Sequence, residues 1–289
     1  MHETEPSKTA LAAAAYRALH QLLDGGRFFA DPLAFRILGA AYALALKVQA
    51  KTRLKLLQTH RGMRLFVAAR SAVAEAHLKA GVESRGVRQM VVLGAGLDTF
   101  AYRNPFDGAL RVFEVDHPAT QAWKRRRLKK AKIPIPASLT FAPVDFETDS
   151  LLDALRASGL DPAQRTFFAW LGVVPYLTHE AISDTLSLIG ALPGGAEVVF
   201  DYSDPPATLA PDARAAHAER AERVASIGEP FLTNFEPADL HAELIARLSD
   251  IDDLGPQGLM TRYFRPGAPP DPARTRGGHV LFAATPARP

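Results

Sequence analysis

The sequence predicts an α/β fold, a doubly wound and mostly parallel sheet with a helical N-terminal cap and an insertion after the fifth strand. Three observations predict it. Short apolar runs alternate with helical segments from residue 89 to residue 203, the pattern of strands joined by crossover helices. The first run ends in Gly94-Ala95-Gly96 and the second in Glu114-Val115-Asp116, which gives a tight turn with a carboxylate in register beside it. Ahead of these runs the chain reads as helix throughout.

The elements follow in order. TALAAAAYRALHQLL has Ala and Leu at helical spacing, with Thr9 as a candidate N-cap. Gly25-Gly26 breaks it, and Asp31-Pro32 opens a second helix from Leu33. A further helix runs from Arg61 to Ala80 and is expected to stop at Gly81. QMVVL is a buried parallel strand feeding the glycine turn. Further strands are expected over 110–116, 138–145, 165–174 and 194–203, with helices from Pro118 to about Ala131, over 151–157 and over 179–191. Two last strands are expected over 248–254 and 279–284. The segment 205–240 is Ala/Arg/Glu-rich and short of large apolar residues, so it reads as an insertion over the sheet. The organisation is one domain over 1–289: cap 9–85, sheet core 86–204 and 241–285, insertion 205–240.

Composition narrows the chemistry. The chain has 289 residues and no cysteine, which removes disulfide frameworks, Cys-ligated metals and thiol nucleophiles. No HExxH or carboxylate–His grouping points to a metal. The N-terminal segment lacks a basic region followed by a Leu-rich one, and the longest apolar stretch, Leu38 to Leu46, is too short to span a bilayer. A cytoplasmic protein with no membrane contact is expected. The net charge of +3 is local: KRRRLKKAK (124–132) holds seven of the 34 bases, leaving 27 against 31 acids elsewhere. Such a run usually forms a solvated helix face. The alternative is a phosphate-binding patch, with Trp123 stacking on a base, as in an RNA-binding protein.

The glycine turn carries the functional signal. Strand, GxG, second strand and terminal acid in register point to an adenosine-containing cofactor. Asp116 lies 20 residues beyond Gly96, where it can accept from ribose hydroxyls. A dinucleotide site would want a third glycine at position 99, which is Thr99 preceded by Asp98. An acid there opposes a pyrophosphate and tolerates a sulfonium, which favours S-adenosylmethionine over NAD.

VVLGAGLDTFAYR (91–103), FEVDHPATQAWK (113–124), FAWLGVVPYLT (168–178) and VVFDYS (198–203) resemble the leucine carboxyl methyltransferase family, in particular its bacterial branch. The resemblance extends over about residues 10–285. It implies a class I methyltransferase (Rossmann-like) fold and S-adenosyl-L-methionine as cofactor. It also implies that Arg70 holds the cofactor carboxylate, that Gly94 and Gly96 pass under its methionine portion, that Asp116 binds the ribose, and that Asp145 and Phe146 contact the adenine. One position departs from the family: Leu171 stands five residues before Tyr176, where the family has an acid, so that polar contact is absent or supplied from elsewhere.

The chemistry then asks for little. A carboxylate acceptor, with a pKa of about 4, needs orientation and desolvation but no general base. A phenol, with a pKa of about 10, would want a base such as His179. Tyr176 and Arg70 are the candidates for orienting the acceptor, with Arg103 as a further one, and Tyr202 is either a rim residue or a core residue. The expected activity is O-methylation of a small-molecule carboxylate in specialised (secondary) metabolism, with nucleic acid not expected as a partner. Methylation of a hydroxyl or of a protein C-terminus is the alternative, and an RNA-binding methyltransferase or a non-catalytic relative is another.

Overall fold

The computed structural model describes residues 7–52, 61–106, 108–145, 148–267, 269 and 275–286. Among the described residues four helices come first: α1 (Lys8–Asp24), α2 (Ala34–Leu38), α3 (Ala40–Thr52) and α4 (Arg61–Ser84). Then β1 (Gln89–Leu93), β2 (Arg111–Asp116), α5 (Pro118–Lys130), β3 (Leu139–Pro143), α6 (Leu151–Ala157), β4 (Thr166–Trp170), α7 (His179–Gly190) and β5 (Ala196–Ser203) alternate. The segment after β5 contributes α8 (Pro211–Ala225) and α9 (Pro237–Ile245), the latter running beyond the expected insertion bound at 240, and β6 (Asp250–Leu254) and β7 (Gly278–Ala284) close the sheet.

The seven strands are ordered β3-β2-β1-β4-β5-β7-β6. β1 to β5 are parallel, and β7 runs antiparallel to both β5 and β6. The strand order reverses between β1 and β4, so the ligand crevice of such a sheet lies at the carboxyl ends of β1, β2 and β4. The central strands β1, β2, β4 and β5 are buried on both faces, which is why they read as largely apolar runs, whereas the edge strand β6 is part-exposed. One face packs Leu155 of α6, Ile182 and Leu186 of α7, and Leu240 and Leu244 of α9. The other packs Ala69, Val73 and Leu78 of α4. A third cluster joins α1, α2 and α3 to Leu128 of α5.

Several boundaries differ from expectation for local reasons. The N-cap of α1 is Ser7, whose Oγ accepts from Ala10 N at 3.1 Å, and Thr9 lies inside the helix. The helix expected to stop at Gly81 continues to Ser84. Gly81 is a contact glycine: a Cβ there would sit 2.9 Å from both Glu197 Oε2 and Val87 Cγ2. β4 ends at Trp170 rather than near residue 174, because the chain turns out of the sheet at Gly172, with φ +73°.

Candidate active site

The glycine turn closes on its acid through the backbone. Gly94 and Gly96 have φ of +64° and +43°, conformations that a side chain resists. A Cβ at Gly94 would lie 2.4 Å from Val173 Cγ2, and one at Gly96 would lie 2.8 Å from Ala10 Cβ. The turn is thus clamped between the start of α1 and the loop after β4. Gly96 N donates to Asp116 Oδ2 at 2.6 Å and His117 N donates to Oδ1 at 2.8 Å. Each carboxylate oxygen keeps a further lone pair for a ligand. Burial pushes the Asp116 carboxyl up against these two backbone donors, which hold it down.

A buried pair braces the turn from beneath. Lys124 Nζ lies 2.8 Å from Glu114 Oε2, both side chains being almost wholly buried, and the Tyr102 hydroxyl donates to the same oxygen at 3.1 Å. Burial pushes the Glu114 carboxyl up to about 7 despite Lys124. Lys124 opens the basic run, so that run is not simply a solvated face. Arg125 covers the Phe141 ring at 3.9 Å, and Arg127 donates to the carbonyls of Ile37 and Leu38. The Arg127 guanidinium also covers Trp123 at 4.7 Å, which occupies the ring considered for stacking on a base.

At the end of β3, Asp145 Oδ2 lies 3.9 Å from His117 Nε2. His117 Nδ1 accepts from Ala119 N at 3.2 Å, so in the neutral ring the proton sits on Nε2, facing Asp145. The structure therefore gathers Gly94, Gly96, Asp116 and Asp145 at the carboxyl ends of β1, β2 and β3. Phe146 lies outside the described residues.

The second half of the site is built from α4, β5 and the loop after β4. Arg70 Nη1 donates to Asp201 Oδ2 at 2.9 Å. Gly172 N donates to Asp201 Oδ1 at 2.6 Å. A Cβ at Gly172 would lie 2.6 Å from Arg70 Nη2, so the glycine is what lets the guanidinium lie against the loop. Leu171, at the position where an acid was expected, packs half-buried against the α4 side of the core. The carboxylate beside Arg70 comes instead from the neighbouring strand. The VVFDYS motif contains Asp201, but only strand pairing shows that it faces Arg70.

Tyr176 is half-buried, with its ring 5.3 Å from Phe231 of the insertion. Burial pushes its phenol up to about 12, against the lowering effect of Arg70 and a hydrogen bond from Thr9 and alongside the raising effects of Glu229 and Asp201. It is therefore an O–H donor at neutral pH. Sequence reasoning missed two residues here. Glu229 Oε2 is buried with no hydrogen-bond partner among the described residues. His217 of α8 is buried, its ring 5.6 Å from Phe231, and burial keeps its imidazole below the usual value. His217 had no sequence signal beyond its place after β5, whereas Glu229 lies in IGEPFLTNFEP (227–237), a stretch that resembles the same family.

The remaining candidates are engaged elsewhere. Arg103 donates to both Glu75 oxygens, at 2.9 Å from Nη1 to Oε2, and stacks on Phe29 and Phe100. His179 is exposed at the start of α7, with its ring on Phe235. Tyr202 is a core residue, its hydroxyl donating to Asp253 Oδ2 at 2.6 Å. Among the described residues no group of His, Asp and Glu could hold a metal, and no helix is long and apolar enough to cross a membrane.

Comparison with known proteins meets this geometry. The model of the family described as leucine carboxyl methyltransferase matches residues 10–190. A Bacillus subtilis protein named "Putative S-adenosyl-L-methionine-dependent methyltransferase YktD" is 37% identical over 182 residues, covering 62% of this chain and 60% of that one. A Mycobacterium avium protein with the same name apart from the suffix is 36% identical over 130 residues, covering 43% and 41%. The matches thus span at most about 60% of these relatives' length. Among solved structures, a Thermobifida fusca protein described as a "putative methyltransferase" aligns with a TM-score of 0.57 and 16% identity over 99% of this chain and 97% of that one. A Streptomyces avermitilis protein of the family DUF574 aligns at 0.56 and 16%, over 95% and 97%. With the strand order and the reversed β7, these likenesses make the fold that of the class I methyltransferases.

Proposed function

Because this chain belongs to the leucine carboxyl methyltransferase family, with relatives named as S-adenosyl-L-methionine-dependent methyltransferases, we propose that it transfers a methyl group from S-adenosylmethionine to a carboxylate of a small molecule in specialised metabolism. The residues fit the cofactor. Gly94 and Gly96, both at positive φ, turn the backbone tightly at the carboxyl end of β1, where the crevice of such a sheet lies. Asp116 retains acceptor capacity for a ribose, and Arg70 is fixed by Asp201 beside them for a carboxylate. Bound there, the cofactor supplies an activated methyl on a sulfonium.

The observation that carries the acceptor class is Tyr176 within electrostatic reach of Arg70. One is a permanent cation, and the other is a phenol that burial keeps protonated, with its pKa pushed to about 12. A cation and an O–H donor are what an anionic oxygen needs to be held and stripped of water. A carboxylate is already ionised at neutral pH, so Tyr176 orients and need not accept a proton.

One observation favours a second reading. His217, neutral and buried behind Phe231, is a candidate base for a hydroxyl acceptor. Three of the seven cations of the basic run, Lys124, Arg125 and Arg127, are engaged with partners inside the chain, which weakens the reading of that run as a nucleic-acid patch. The test is calorimetry with S-adenosylhomocysteine and NAD, followed by methyl transfer from labelled cofactor. S-adenosylhomocysteine is expected to bind, NAD to bind weakly or not at all, and the product label to be released by mild base as an ester's would be. Base-stable label refutes the carboxylate reading, and preferential NAD binding refutes the cofactor.

A further inference from the structure

Arg70 is shared, in the proposed function, between Asp201 at 2.9 Å, the cofactor carboxylate and the acceptor. A second anion in the same crevice calls for a second cation. The insertion carries one. Phe231 bridges Tyr176 and His217 at 5.3 and 5.6 Å, which ties α8 to the acceptor side of the crevice. Arg220 lies three residues beyond His217 on α8, and the helical repeat puts both on one face. Its guanidinium is half-buried. Tyr16 of α1, Tyr176, Glu219 and Arg223 act on it electrostatically.

What sets Arg220 apart is the lack of a partner. Other buried or half-buried guanidiniums are engaged: Arg17 faces Asp31, Arg64 faces Asp24, Arg165 faces Glu197, and Arg127 donates to two backbone carbonyls. Among the described residues Arg220 makes no hydrogen bond or ion pair. The nearby Arg223 is a second cation and adds repulsion. A guanidinium cannot shed its charge as a buried Lys can, so its desolvation is offset only at a distance, by Glu219 and the two phenols, until an anion bonds to it. Its planar fork matches a carboxylate.

We propose that Arg220 is the clamp for the acceptor's carboxylate, drawing it under α8 between Tyr16 and Tyr176. This rests on the reading of the chain as a carboxylate methyltransferase. A lone pair of the clamped oxygen forms the new O–C bond as the C–S bond breaks. The bonding pair of the C–S bond stays on sulfur, which becomes a neutral thioether, and no proton moves. The neutral ester no longer holds Arg220, so the same residue that recognises the acid favours release of the product.

The experiment is calorimetry on the full chain saturated with S-adenosylhomocysteine, using octanoate and phenylacetate as probes beside their primary amides. Wild type is expected to bind the acids. Arg220→Ala should weaken them by about tenfold or more, the loss of a charge-assisted hydrogen bond, and Arg220→Lys should recover part of it. The amides should not distinguish wild type from Arg220→Ala, and S-adenosylhomocysteine should bind all three proteins alike. Acids that bind Arg220→Ala as tightly as wild type, or that do not bind wild type at millimolar concentration, overturn the clamp while leaving the methyltransferase reading standing. Wild type that fails to bind S-adenosylhomocysteine overturns that reading and the clamp with it.

Discussion

The Arg70–Asp201 pair can be tested by a double-mutant cycle of Arg70→Ala, Asp201→Ala and the combination. The two side chains are 12% and 5% exposed and meet at 2.9 Å. Breaking a fully buried pair by removing one partner costs about 3–5 kcal/mol, because the other charge is left uncompensated. Arg70 keeps some access to water, so each single variant should lose about 2–4 kcal/mol on the same grounds. The double variant removes both charges and should lose much less than the sum. The coupling energy should be about 1.5–3 kcal/mol, the worth of a hydrogen bond between charged groups. The hydrogen bond from Gly172 N at 2.6 Å is lost whenever Asp201 is removed and so drops out of the coupling. Urea unfolding of the four proteins without ligand measures it. Single costs that add to within about 0.5 kcal/mol would refute the idea that Asp201 holds Arg70 in place.

Three further outcomes are expected. Gly94→Ala should destabilise the chain by about 1–3 kcal/mol and weaken S-adenosylhomocysteine, since φ is +64° and the new Cβ would meet Val173 Cγ2; adding Val173→Ala should recover the steric part only, as urea unfolding and calorimetry can tell. Burial would lower the His279 imidazole, but hydrogen bonds to Asp204 and Asp253 outweigh it and push it up to about 9. Its contribution to stability is therefore complete below the unfolded value of 6.5 and is lost as pH rises through about 9. His279, in turn, holds both acids down, so their share is present above the unfolded value of 3.8 and is lost as pH falls below it. A melting temperature that does not fall between pH 7 and 10 more steeply in wild type than in His279→Gln contradicts this. Finally, Lys124→Met should leave Glu114 buried without its cation and cost about 3–5 kcal/mol, whereas Lys124→Met with Glu114→Gln should recover most of that loss by unfolding measurements.

Much of the molecule is written in local pattern. The alternation of apolar runs and helices determined the sheet's class, because buried parallel strands must be apolar on both faces. Gly94, Gly96 and Asp116 were readable because a turn, a close approach and a strand-end acid are short-range requirements. The family motifs carried the cofactor in the same way. Boundaries were harder, since Gly81 reads as a helix stop and serves instead as a packing contact against Glu197.

The rest depends on which residues meet across long stretches of chain, and that is decided by strand order and helix docking. Asp201 faces Arg70 across 131 positions of sequence, and nothing in either neighbourhood announces it. The basic run reads as a charged surface, yet folding buries Lys124 on Glu114 and lays Arg127 against α2. Arg220 is the converse case: one arginine among many in an Ala/Arg/Glu-rich helix, it gains meaning only because α8 brings it within electrostatic reach of Tyr176 with no ion pair among the described residues. Local chemistry determined the kind of site, and the packing of distant elements decided which charges are satisfied within the chain and which are left for a ligand.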